Sequence, residues 1–155
     1  LGKDDESTAE SYGREIVRFS VATYVLAAAL VAVFARDIVV LFVESPTEPS
    51  VPIAVDMVYA AAAAVIPQGV NAAAAGALDA TGDTRWPFYG RVVGMFAGAI
   101  PLVYLGATTD LGLLGIYLSF FAESIVPGAV SYYRFTTGKW KAISRGYRPD
   151  AAADD

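Results

Sequence analysis

Glu123 is the one side chain in this sequence that a proton or a cation would meet inside an otherwise uncharged stretch. It stands within Leu111 to Tyr133, 23 residues with no other charge, where an ionised carboxylate is costly unless it is paired, protonated or set beside a cavity. Two readings stay open: a proton or cation site, or a neutral carboxyl hydrogen-bonded to a neighbouring helix or to Ser119 a turn earlier. In either case Glu123 is expected to lie buried in a helix bundle and not turned to lipid. A second constellation is Pro67, Gln68 and Asn71. Pro67 removes a backbone donor and crowds the carbonyl a turn earlier, so a helix is expected to break there. Gln68 and Asn71, three apart on one helix face, add amides that donate and accept hydrogen bonds without charge. A local break with two amides is how transporters line a midplane cavity, which makes these three the candidate substrate path. The alternative is plain packing, with Asn71 bonded to a carbonyl that Pro67 frees. Arg91 can snorkel to the interface, and Asp56 reads as an interfacial charge. The sequence contains neither His nor Cys. That removes thiol and Ser-His-Asp nucleophiles along with the usual zinc, copper and haem ligands, so no metal site and no enzyme is expected.

The elements that must position these residues are membrane spans. At 55% hydrophobic residues and mean hydropathy +0.48 the 155-residue chain is too apolar for an ordinary soluble domain. Met57 to Leu78 is 22 residues without charge, enough at about 1.5 Å per residue to cross a hydrocarbon core of roughly 30 Å. The sequence predicts an all-α, polytopic membrane helix bundle of four transmembrane helices, over about 17–43, 53–78, 86–106 and 111–133, followed by a cytoplasmic tail, 134–155. Three prolines between Glu44 and Pro52 reverse the chain after the first span. In the third span Gly90, Gly94 and Gly98 form a GxxxGxxxG row expected to serve helix packing. Pro101 interrupts the same span and Pro127 bends the fourth.

Lys and Arg placement orients the spans. Putting the N-terminal segment, the loop between spans two and three, and the tail on one side collects Lys3, Arg14, Arg18, Arg85, Arg91, Arg134, Lys139, Lys141, Arg145 and Arg148 there, and leaves only Arg36 of the 11 basic residues opposite. Both ends are therefore expected to be cytoplasmic. Trp86, Tyr89, Tyr132, Tyr133 and Trp140 fall near the inner boundary, as an aromatic belt would. The net charge of −5, with only three Lys, hints at a salt-loving organism. Leu1 stands where an initiator Met would, and no signal-peptide pattern follows, so an upstream part is expected.

Four features together resemble a known family: the order of spans, the Gly82-Asp83-Thr84-Arg85-Trp86-Pro87 turn, Leu111-Gly-Leu-Leu-Gly-Ile-Tyr117, and Arg134-Phe-Thr-Thr-Gly-Lys-Trp140. They are similar to the C-terminal end of a MATE (multidrug and toxic compound extrusion) transporter, here of halophilic archaeal type. The resemblance implies two six-span lobes, of which this chain would supply the last four spans, with Leu1 to Asp5 matching the end of the preceding loop. It implies antiport export of drugs or other amphipathic, often cationic compounds across the cell membrane, coupled to Na⁺ or H⁺, with no cofactor beyond that ion. The family's tenth span lines the cavity of its lobe, and Pro67, Gln68 and Asn71 occupy it here. Implied partners are membrane lipid, the upstream transmembrane helices of the same transporter and small organic substrates, and no nucleic acid. The turn Asp79-Ala-Thr-Gly-Asp83 departs from the family's common Arg-Gly-Ala-Gly-Asp type. Two rival readings are a lipid-linked oligosaccharide flippase of similar architecture, which would want a more cationic cavity, and a small four-helix membrane adaptor without transport activity.

Overall fold

The structure, a computed structural model, describes residues 6–146. The expected loop segment Leu1 to Asp5, with Lys3, and the end of the tail, with Arg148, lie outside the described residues. The fold is all-α. Helix α1 covers Glu6–Val33, α2 Ala35–Val40, α3 Ser50–Ala80, α4 Arg85–Val93, α5 Ile100–Thr108, α6 Leu113–Thr136 and α7 Trp140–Gly146. A π-helical segment, Gly94–Ala99, joins α4 to α5 into one continuous rod. Among the described residues four helical stretches are long and apolar enough to cross a membrane: Ser11–Val33, Ser50–Ala80, Arg85–Thr108 and Leu113–Thr136.

The first helix is shorter at its far end than the expected 17–43, because the backbone leaves helical geometry at Phe34 (φ −99°, ψ 12°). Arg36 and Asp37 fall on the short α2 beyond that joint, exposed. The expected break at Pro67 does not occur, and α3 runs through it for 31 residues. A missing N–H there costs one bond, to the carbonyl of Ala63, and packing on both sides holds the rod together. On one side Gly69 lies against α1, where an added Cβ would stand 3.1 Å from Val21 Cα and 3.2 Å from Ser20 O. On the other, Gly128 of α6 brings its own would-be Cβ within 3.3 Å of Pro67 O. The helices pack mainly in the order α1, α3, α6, then the α4–α5 rod.

Small residues dominate the contacts. Ala62, Ala64, Ala73, Ala74 and Ala75 of α3 are buried, and with Leu78, Phe135 and Trp140 they make most of the core. Lipid tails are as apolar as these side chains, so burial drives association weakly and close backbone approach matters more. Where α5 meets α6 the approach is closest: a Cβ on Gly115 would stand 2.5 Å from Leu102 O and 2.6 Å from Gly106 Cα. The π-helical segment ends two residues before Pro101, which offers no N–H and crowds the carbonyl of Ala97; a wider turn there is a common response to such strain.

Candidate functional site

The glycine row sets how the third and fourth spans meet. A Cβ on Gly90 would reach 3.0 Å from Pro127 Cα, one on Gly94 3.0 Å from Pro127 Cδ, and one on Gly98 3.0 Å from Ala122 Cβ. All three glycines therefore face α6 and let it approach as far as Pro127 allows. That contact leaves a groove beside it of about 350 Å³, lined by Gln68 and Asn71 from α3, Arg91 from α4, Met95 from the π-helical segment, and Glu123 and Pro127 from α6. The groove thus gathers Gln68, Asn71 and Glu123, separated by more than 50 residues of chain, and adds Arg91 and Met95. Pro67 does not line it; its carbonyl faces Gly128. A second recess of about 200 Å³ shares Gln68 and Glu123, so these two side chains stand on the ridge between the two spaces.

Each polar group is differently committed. Asn71 is buried at 6% exposure and its Oδ1 accepts from Ser131 Oγ at 3.1 Å. It bonds a side chain of α6, and not a carbonyl freed by Pro67. Among the described residues no buried side-chain nitrogen or oxygen lacks a partner, so the amide nitrogen of Asn71, which bonds nothing, keeps access to the groove. Glu123 is exposed, so these four spans do not by themselves bury it. Ser119 is not its partner either, since the Ser119 hydroxyl donates to Ile116 O at 2.7 Å. Pro127 lies four residues after Glu123 and has no N–H to give, so the backbone carbonyl of Glu123 lacks its helical donor beside its own carboxylate. Arg91 and Glu123 line one groove, yet neither forms an ion pair or side-chain hydrogen bond among the described residues. No cluster of three or more acidic residues that could hold a metal ion occurs among them.

A second polar assembly joins the two motifs at the end of the bundle to which most basic residues were assigned. Gly82 takes φ 84° and closes α3 with two bonds, Asp83 N to Leu78 O at 2.9 Å and Gly82 N to Asp79 O at 3.1 Å. This is the Schellman pattern, which favours glycine at the left-handed position. It delivers Asp83 to Arg134, whose Nε donates to Oδ2 at 2.6 Å, and Arg134 also lies 5.3 Å from the centre of the Trp86 ring. Trp140 is no interface anchor: it is buried, stacks on Phe135 at 5.8 Å and donates from Nε1 to Phe135 O at 2.9 Å. Sequence reasoning counted Arg134 as a topology charge and missed this clasp, although Asp83 and Arg134 stand in the two segments that carried the resemblance.

Among the described residues, four apolar helices long enough to span, a polar groove walled by three of them, and glycine-lined helix contacts mark a multi-pass membrane protein. The family model named MatE matches residues 1–105, and the chain belongs to that family. A relative from Bacillus subtilis (strain 168), described as the uncharacterized transporter YisQ, is 32% identical over 114 residues, which cover 72% of this chain and 24% of the relative. The chain therefore spans about a quarter of the length of that relative. No solved structure matches. Residues of α6, including Glu123, lie beyond the family match, while Gln68, Asn71, Arg91 and the glycine row lie within it.

Proposed function

We propose that this chain is the last four spans of a twelve-span transporter, and that the complete protein exports drugs or other amphipathic organic compounds across the cell membrane by antiport with Na⁺ or H⁺. The groove carries this reading, since it brings Gln68, Asn71 and Glu123 to one open space between α3, α4 and α6. Polar groups at such a depth belong beside protein or water, which a substrate path supplies. Membership of a transporter family supports it further. Gln68 and Asn71 offer uncharged donors and acceptors to varied compounds, Met95 an adaptable apolar wall. Pro67 helps set this path only through the backbone it holds against Gly128. Glu123 is the seat of the coupling ion, with its carboxylate and the carbonyl that Pro127 leaves undonated as oxygen ligands. Among the described residues Arg91 is the one cation that lines the groove, which suits this reading better than a flippase for a pyrophosphate headgroup. The distribution of basic residues supports cytoplasmic ends, and the acidic, lysine-poor composition a halophilic archaeal source.

The test is made in the complete transporter, expressed at matched membrane abundance in an efflux-deficient host. Gln68→Ala and Asn71→Ala should each alter the resistance profile across chemically distinct drugs. Glu123→Gln should flatten the dependence of export on the imposed ion gradient. Profiles and ion dependence identical to wild type would remove these residues from the path.

A further inference from the structure

Arg91 and Glu123 are opposite charges that share a groove without closing on each other. Their placement explains the gap. Gly90 packs on Pro127, so Arg91 leaves its helix near the level of Pro127, whereas Glu123 lies four residues earlier on α6, about 6 Å of helical rise away. Pro127 forms the floor between them. By contrast Arg134 of the same helix as Glu123 is paired with Asp83 and lies over Trp86. Nothing comparable occupies Arg91 among the described residues.

A groove built this way discriminates by charge pattern. An organic cation bulky enough to span the floor from Glu123 meets the like charge of Arg91, unlike a small coupling ion held at Glu123 itself, and a purely anionic ligand meets Glu123 in the same way. Like-charge juxtaposition of this kind is how sites exclude wrong partners. A molecule carrying both an anionic and a cationic group satisfies both residues, with the guanidinium donating to its anion through charge-assisted bonds. The amide nitrogen of Asn71 adds an uncharged donor. We infer that the groove selects zwitterionic amphipathic compounds, and that Arg91 is the residue that sets this preference. The inference rests on the transporter reading above and narrows its substrate class.

The experiment uses the complete purified transporter and two dyes that differ in one group: rhodamine B, which carries a carboxylate and a delocalised cation, and its ethyl ester, which carries the cation alone. Fluorescence anisotropy gives the affinities, and proteoliposomes under an imposed Na⁺ or H⁺ gradient give transport. Wild type should bind rhodamine B about tenfold more tightly than the ester, the scale of one charge-assisted hydrogen bond. Arg91→Gln should abolish that preference by weakening rhodamine B and tightening the ester, which no longer meets a like charge, and Arg91→Lys should retain most of it. Equal binding of the two dyes by wild type, which needs no variant to fold, overturns the inference, as does an undiminished preference in Arg91→Gln. Gradient-driven export of the ester without preference for the acid overturns this inference alone. Gradient-driven export of neither dye overturns the transporter reading with it.

Discussion

Replacing Asp83 with Asn keeps shape and size and removes only charge, so it isolates what the Asp83–Arg134 pair contributes. The bond is 2.6 Å long and the two side chains are 5% and 13% exposed, well outside the solvent-screened regime in which a pair is worth roughly 0–1 kcal/mol. Removing one partner of a buried pair strands the other charge and costs about 3–5 kcal/mol; the residual exposure of Arg134 places Asp83→Asn at the low end, about 3 kcal/mol. Arg134→Gln should cost at least as much, because it also forfeits the contact with Trp86 at 5.3 Å, worth about 0.5–1 kcal/mol. The double variant strands neither charge. Its loss should fall short of the sum of the single losses by about 1.5 kcal/mol or more. Equilibrium unfolding of the complete transporter in mixed micelles measures all three variants. Single losses below about 1 kcal/mol that add in the double variant would show that the pair is screened and that the clasp does not hold these helix ends together.

Glycine positions provide a graded test: Gly94→Leu must displace Pro127 and should lower the fraction of assembled protein. Gly115→Ala, whose Cβ would meet backbone atoms 2.5 Å and 2.6 Å away, should be more damaging than Gly94→Ala, whose Cβ would meet the Pro127 ring at 3.0 Å; equal thermal stability of the two would refute this. Asn71→Ala leaves the Ser131 hydroxyl, 0% exposed, without its acceptor, at about 1–3 kcal/mol, and adding Ser131→Ala should recover part of the lost membrane abundance. Ser50→Cys, in a chain with no native Cys, should react with an impermeant maleimide from the outer face only, and labelling from the cytoplasmic side alone would reverse the proposed orientation.

The spans and the glycine row were legible because both are local patterns: run length without charge predicts a crossing helix, and a four-residue spacing of glycines marks one face. What the sequence withheld is rotation about each helix axis. A span that is apolar all round has no amphipathic stripe to announce its inner face, which is why Glu123 was expected inside the bundle and stands exposed at its edge. Pairings between distant residues were hidden for the same reason. Asp83 and Arg134 are 51 residues apart, and Asn71 and Ser131 are 60 apart; no local spacing records either. Pro67 misled in a different way. Its effect on an isolated helix is to break it, but here the small residues Gly69 and Gly128 bring neighbours close enough to hold α3 continuous.

The exposed edge at Glu123 also decides which side of these spans can look at lipid. The outer surface of α1 presents Phe19 at 76% and Leu26 at 72% exposure, side chains that hydrocarbon accepts without penalty. The groove side presents Glu123, Arg91 and Gln68. Turned to the middle of a bilayer, a carboxylate and a guanidinium would each cost about 2.5–3.5 kcal/mol even on the lenient insertion scales. Together that approaches the whole margin, about 5–15 kcal/mol, by which a protein of ordinary stability stays folded. Snorkelling can relieve Arg91, near the end of its span, but Glu123 has a shorter side chain and sits near the middle of α6. The groove side must therefore meet water or protein while the α1 side can face lipid, and the glycine row, by fixing the third span against Pro127, is what keeps the two charges on the same side.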